Sequence, residues 1–340
     1  MKVHLFFRKS TKGFRSLEEV FDIVINALKK TEVQINEVPE KRVTPEKFWT
    51  NLLWVWKHRG KVNHITGDIH YIALATGRNT VLTIHDAYSS LTGSLYKKFL
   101  IKLFWFWLPA LLVKRITTIS EKSKIELEKI IPFAKKKIMV IPNPYNPKLL
   151  DRDQHLDEEL ITNTSKPIVL HLGTKSNKNL ERTIGALEGL PYKLYIIGQL
   201  TDLQADLLAE HEIDFRSYFN LPYNEVAMLY HQCTVVCFAS LYEGFGMPII
   251  EAQLVGKPVI ISNLDPMPWV AGKDGACLVD PYSIISIRDG VIKVIEDQEY
   301  RQQLVENGLQ NVQRFEPEKI AGMYEEVYRE VLSTSAEASV

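Results

Sequence analysis

Residues 240–262, SLYEGFGMPIIEAQLVGKPVIIS, begin on the last residue of the apolar run TVVCFAS (234–240). TVVCFAS reads as a buried strand, SLYEGFGMP as the turn after it, MPIIEAQLVG as a helix with proline in its first turn, and GKPVIIS as the next strand. Strand, turn, helix, strand is the unit of a parallel sheet, because parallel neighbours need a crossover helix. Two carboxylates, Glu243 and Glu251, stand in this otherwise apolar stretch. Glu243 falls in the loop at the carboxyl end of a strand, and Glu251 about two helical turns further along.

The same alternation runs outward in both directions. KVHLFF, VNHIT, TVLTIHD, RITTIS and KIMVIPN precede it, then PIVLHLG and KLYIIG, with amphipathic stretches such as SLEEVFDIVINALKK, NKNLERTIGALEGL and YNEVAMLYHQ between. One segment breaks it: IPNPYNPKLLDRDQHLDEELITNTSKP, proline-rich, polar and aperiodic, reads as a linker. With 340 residues the expectation is two domains. They are 1–148, a linker at 149–166, and 167–315, with a closing helix at about 316–334 packing back on the first. The fold class is α/β: two Rossmann-like, doubly wound parallel-sheet domains facing an interdomain cleft. Ligands of such sheets bind beyond the carboxyl ends of the strands.

Lys and Arg total 41 against 41 Asp and Glu, so no net charge favours nucleic acid as a partner. Cys233, Cys237 and Cys277 have no metal-ligand spacing and read as buried thiols of a reducing compartment. MKVHLFFRKS is too quickly charged for a secretory signal, which gives a cytoplasmic expectation. The longest apolar run, LFWFWLPALLV, is shorter than the roughly 18 residues of a membrane span. LYKKFLIKLFWFWLPALLVKR has two readings. A basic aromatic helix can lie on an anionic membrane surface, giving peripheral contact through 95–115; a first-domain helix with a broad buried face has the same pattern.

Gly244 and Gly246 permit a turn that brings backbone N–H groups near a ligand, and those amides open a helix, which favours phosphate. A carboxylate further along such a helix can accept both hydroxyls of a ribose. A capped helix behind a glycine turn, with solvated acids, carries the same spacing. Taken together, Glu243-Gly244-Phe245-Gly246-Met247-Pro248, Glu251-Ala252 and Gly256-Lys257-Pro258-Val259-Ile260 resemble the E-x7-E signature of the retaining glycosyltransferases of family 4, which have the GT-B fold. IPNPYNP, HLGTKSNKNLERTIGAL, AGKDGACLVDPYS and FEPEKIAGMYEEVY are similar to further segments of that family, so the likeness covers most of the chain.

The resemblance implies transfer of a sugar from a nucleotide diphosphate donor (UDP- or GDP-sugar) to an acceptor hydroxyl with retention, in glycan or polysaccharide synthesis. It implies donor contacts from Gly173, Thr174, Lys178, Glu243, Gly244, Phe245, Gly246, Met247 and Glu251, with Glu243, His85 and Lys178 at the reacting centre. Where the family has Arg after the glycine, this chain has Thr174. Gly13, His64, Gly67, Asp68, His70 and Asp86 fall in first-domain loops; acceptor or sugar contact and plain capping or packing both fit them. A glycan or lipid-linked acceptor is the expected partner, with no cofactor and no metal. Asp151-Arg152-Asp153 is a D-x-D string, but it lies in the linker rather than at a strand end. An epimerase of the same fold and a non-catalytic nucleotide-sugar-binding scaffold are the alternatives. Oligomeric state has no signal in the sequence.

Overall fold

The computed structural model describes residues 1–9, 16–40, 44–85, 94–151 and 164–337. The chain divides into two units: residues 1–144 with 316–340, and residues 145–315. The first boundary lies ahead of the expected 148/149, because Asn146 caps the short turn Pro147–Leu150 and the Leu149 carbonyl meets His231 Nε2 of the second unit at 2.9 Å.

The first unit is a six-stranded sheet of β1 (Lys2–Phe7), β2 (Glu32–Glu37), β3 (Asn63–Ile65), β4 (Thr80–Thr83), β5 (Arg115–Thr118) and β6 (Ile138–Val140). The order is β2-β1-β3-β4-β5-β6, every pairing parallel. One face packs on helix Pro45–His58 and its neighbours through Phe6, Ile65 and Leu82. The other packs on the closing helix Pro317–Glu337 through Val3, Leu5, Phe7 and Val81 against Ile320, Tyr324, Val327 and Tyr328.

The second unit holds β7 (Ile168–Leu172), β8 (Lys193–Ile197), β9 (Phe215–Tyr218), β10 (Val235–Phe238), β11 (Val259–Ser262) and β12 (Cys277–Val279). Its order, β12-β11-β10-β7-β8-β9, is that of a dinucleotide-binding sheet. Val235, Val236, Cys237 and Phe238 are at most 1% exposed, so β10 is covered on both faces and reads as an unbroken apolar run. The three cysteines are buried and unpaired; burial pushes the Cys233 thiol up to about 12 and Cys237 to about 11.

In each sheet the winding reverses once. In the first unit the reversal lies between β1 and β3, and in the second between β7 and β10. Those two places are where an open parallel sheet holds a ligand.

Candidate functional site

In the second unit the loops after β7 and β10 flank the reversal. β7 ends at Leu172, and Gly173 turns the chain with φ +90. A Cβ there would stand 2.8 Å from Cγ of Lys178, so only glycine lets the lysine fold back over the strand end. Lys178 closes the short turn Ser176–Lys178. Its Nζ lies 2.6 Å from Oε1 of Glu243 and 4.9 Å from the centre of the Phe238 ring. The side chains of this ion pair are 22% and 13% exposed.

Four hydrogen bonds of two asparagines hold the pair together. Leu241 N donates to Asn177 O at 2.8 Å, and Asn177 Nδ2 donates back to Tyr242 O at 3.0 Å. Asn179 Nδ2 donates to Ala239 O at 2.9 Å and to Pro281 O at 2.8 Å. Asn179 is buried and left-handed (φ 64), a conformation asparagine tolerates better than other residues with a Cβ. The loop after β7 is thus tied to the loop after β10 on both sides of Lys178.

Gly246 (φ 111) precedes helix Met247–Leu254, with Pro248 in its first turn. Phe245 is 4% exposed and meets Trp269 and Phe315 edge to face, so its ring belongs to the core and only its backbone faces the turn. Met247 is half-buried at the first helical position. Glu251 is half-buried, and its Oε2 accepts a 2.6 Å hydrogen bond from Tyr230 OH. Burial and then the Glu251 charge push the Tyr230 hydroxyl well above its ordinary range, so it stays a donor and fixes the carboxylate. Thr174 Oγ1 donates to Gln199 O at 2.6 Å, and its carbonyl accepts from Gln204 Nε2 at 2.8 Å. This is a structural role for the residue that replaces arginine. His171, not singled out from the sequence, is buried in β7, and burial brings it down to about 4 against the pull of the Gly173 backbone.

In the first unit, Arg8 follows β1 and pairs with Glu18 at 3.0 Å. Gly67 (φ +72) follows β3, close enough that a Cβ there would lie 3.9 Å from the Arg8 side chain. Asp68 is exposed, and its carbonyl accepts from Trp105 Nε1 at 3.1 Å. His70 is 5% exposed with Nδ1 2.9 Å from Trp105 O; burial lowers it, against the pull of Asp68. His85 follows β4, half-buried, with Nε2 buried and without a hydrogen-bond partner among the described residues. Burial, then His70 and Arg8, bring it down to about 4, so it is neutral at pH 7.

His64 is a correction. It is 0% exposed, Nδ1 lies 2.7 Å from Tyr328 OH, and Nε2 lies 2.7 Å from Thr83 Oγ1. Both ring nitrogens are used inside the core, so it is a packing histidine and not an acceptor contact. Gly13, Asp86 and the Arg152-Asp153 part of D-x-D lie outside the described residues; Asp151 is exposed. The arrangement therefore brings Lys178 and Glu243 together and places Glu251 on the helix behind them. Separately, it gathers Arg8, Gly67, Asp68, His70 and His85 beyond the strand ends of the first unit.

Comparison with known proteins bears on the fold and the family. Residues 37–149 match the family model Glycosyltransferase Family 4, and residues 153–311 match glycosyl transferases group 1. The O-antigen chain mannosyltransferase B of Escherichia coli is 32% identical over 95 residues, 28% of this chain and 25% of that protein. An uncharacterised glycosyltransferase of Methanocaldococcus jannaschii is 28% identical over 234 residues, 63% of this chain and 60% of that protein. The chain thus spans a quarter to three fifths of the length of these relatives. The crystal structure of Anabaena Alr3699/HepE in complex with UDP and glucose superposes with a TM-score of 0.77 at 14% identity, over 97% of this chain and 100% of that one. The shared fold is GT-B, a pair of Rossmann-like sheets.

Proposed function

We propose that this chain, matched to glycosyltransferase models from residue 37 to residue 311, is a glycosyltransferase that moves a sugar from a nucleotide diphosphate to an acceptor hydroxyl with retention of configuration. The observation that carries the reading is the Lys178–Glu243 pair at the point where the second sheet reverses. A cation there stabilises the charge that develops on a departing diphosphate. A carboxylate beside it accepts hydroxyls of the transferred sugar. Glu251, held by Tyr230, accepts the ribose hydroxyls. The C1–O bond to the diphosphate breaks, the acceptor oxygen bonds C1 from the same face, and its proton passes to the leaving phosphate oxygen. His85, neutral and with Nε2 unpartnered among the described residues, is assigned to a hydroxyl of the sugar or acceptor. Arg8, Gly67, Asp68 and His70 line that side, for a glycan or lipid-linked acceptor.

The donor is a UDP- or GDP-sugar. A mannosyl group is the first sugar to try, given the name of the E. coli relative; UDP is the nucleotide bound in the Anabaena protein. Lys178 takes the charge role that a divalent ion has elsewhere, so turnover should survive EDTA. One observation favours a second reading. With Thr174 Oγ1 occupied by Gln199, the diphosphate has one cation fewer than in the family pattern, as in a binding subunit without turnover.

The test is thermal unfolding of the purified chain with UDP, GDP, ADP or CMP in EDTA, followed by product analysis with the matching donor. A native-state ligand at a hundredfold excess over its Kd adds about 2.7 kcal/mol. Stabilisation by one diphosphate, lost in Glu251→Ala, together with acceptor-dependent release of that diphosphate, supports the proposal. Binding without release supports the scaffold, and donor conversion without acceptor supports an epimerase.

A further inference from the structure

Among the described residues, nothing covers the outer face of helix Pro45–His58 of the first unit. Trp49 is 63% exposed, Leu53 61% and Trp56 56%. Beside it runs the segment read above as a single basic aromatic helix. It forms three pieces: α-helix Leu95–Ile101, a π-helical stretch Lys102–Trp107, and α-helix Leu108–Leu112. No described helix is long and apolar enough to cross a membrane. Between the two helices lies an open groove of about 840 Å³, with Phe48, Leu52 and Trp56 on one wall and Ile101, Phe104 and Trp105 on the other. Leu95 (86% exposed) and Tyr96 (74%) open the helix that carries Lys97 and Ile101 of the groove's lining. An apolar surface this large is not left open on a protein without a partner for it.

Charge selects the partner. The whole chain is neutral, yet residues 94–115 carry Lys97, Lys98, Lys102 and Lys114 and no acid, with Arg115 paired to Glu330. Residues 44–61 add Lys57, Arg59 and Lys61 against Glu46, with Lys47 paired to Glu40. Lys97 lines the groove itself. A second copy docked face to face would set this row of cations against its own image, which is repulsive. Tryptophan and tyrosine with an apolar body and a polar tip are the side chains that settle at the headgroup level of a bilayer, and lysine stems reach past them to lipid phosphate.

We infer that the face formed by helix Pro45–His58 and the 95–107 segment docks on an anionic phospholipid bilayer, with Trp49, Trp56 and Tyr96 inserted and Lys97, Lys98 and Lys102 on the headgroups. The inference extends the sequence expectation for 95–115 to an insertion surface whose larger part comes from 45–58. The groove is continuous with the first unit's polar cluster: Trp105 on its wall donates to Asp68 O, and the Trp105 carbonyl meets His70. Docking would therefore bring the Asp68–His70 loop close to the membrane. That last consequence rests on the acceptor reading above; the docking itself does not.

The experiment is co-sedimentation of the full chain with vesicles of phosphatidylcholine alone and with about 30 mol % phosphatidylglycerol, at low and high salt. Two variants accompany it: Trp49→Ser/Trp56→Ser, both at exposed positions, and Lys97→Glu/Lys98→Glu. The inference expects binding to the anionic vesicles, weakened by salt, with partitioning lowered at least about tenfold by the tryptophan pair. Each lysine-to-glutamate reversal should lower it by at least roughly fivefold. Four results would overturn it: no binding by the wild type, equal binding to both vesicles, wild-type binding in both variants, or a dimer that the tryptophan pair abolishes. The diphosphate-induced thermal shift should be unchanged in both variants, so a failure of the donor-site reading is seen separately.

Discussion

Asn179→Ala tests whether the second unit's site is held by its asparagine clamp. The native residue is left-handed, buried, and donates to Ala239 O and Pro281 O. Removing the amide leaves two buried carbonyls without that donor, at about 1–1.5 kcal/mol each. Forcing alanine into the left-handed region costs about 1 kcal/mol more. The expected loss is about 3–4 kcal/mol for alanine. Asn179→Gly removes the same hydrogen bonds but relieves the backbone, so it should lose about 2–3 kcal/mol. The ordering separates the two causes. Urea unfolding of the full chain by far-UV circular dichroism measures both, fitted as two transitions if the units melt apart. The clamp also positions Lys178 against Glu243, so diphosphate affinity should fall in both variants. Equal losses for alanine and glycine, or a loss under about 1 kcal/mol for either, would refute the reasoning.

Three further outcomes follow from the geometry. Tyr230→Phe removes the hydroxyl that orients Glu251 and should weaken nucleotide binding by roughly three- to tenfold in calorimetry. Gly173→Ala places a Cβ 2.8 Å from the Lys178 side chain at φ +90; kcat should fall about a hundredfold or more, close to Lys178→Met, because the displaced cation no longer meets the leaving group. Buried histidines set the acid limit: His64 is lowered to about 3, and His85 and His171 to about 4, against 6.5 in the unfolded chain. Each is neutral in the native state while the unfolded chain takes a proton, so stability is full above pH 6.5 and is lost as pH falls through 6.5 towards 3. His64 alone contributes on the order of 5 kcal/mol over that window. Its ring resonance should not titrate above pH 5 by NMR, and a titration midpoint near 6.5 would contradict its place in the core.

The strands legible in the sequence were those with neighbours on both sides, together with β6. β2 (EVQINE), β9 (FRSY) and β12 (CLV) left no apolar run, and each is an edge strand. An edge strand has one flank unpaired and alternates or shortens instead of repeating apolar residues. The loops at the sheet reversals were legible because their chemistry is local: Gly173 with Lys178, and Glu243 ahead of a glycine turn. The asparagine clamp was not, since Asn177 and Asn179 meet residues 65 and 60 positions away. His64 misled for the same reason. Glycine and aspartate nearby suggest a loop, while one of its two partners, Tyr328, is 264 residues distant.

That distance bears on how the chain is made. The face of the first sheet that carries Val3, Leu5 and Val81 is covered by Ile320, Tyr324 and Tyr328, and Glu325 accepts from the Lys29 and Lys30 amides. Residues 145–315 form a continuous segment that can close its own core as it leaves the ribosome. The first unit cannot, because its last helix is translated after the whole of the second. The part synthesised first is therefore the part completed last. During the interval its uncovered sheet face is the surface a chaperone would meet.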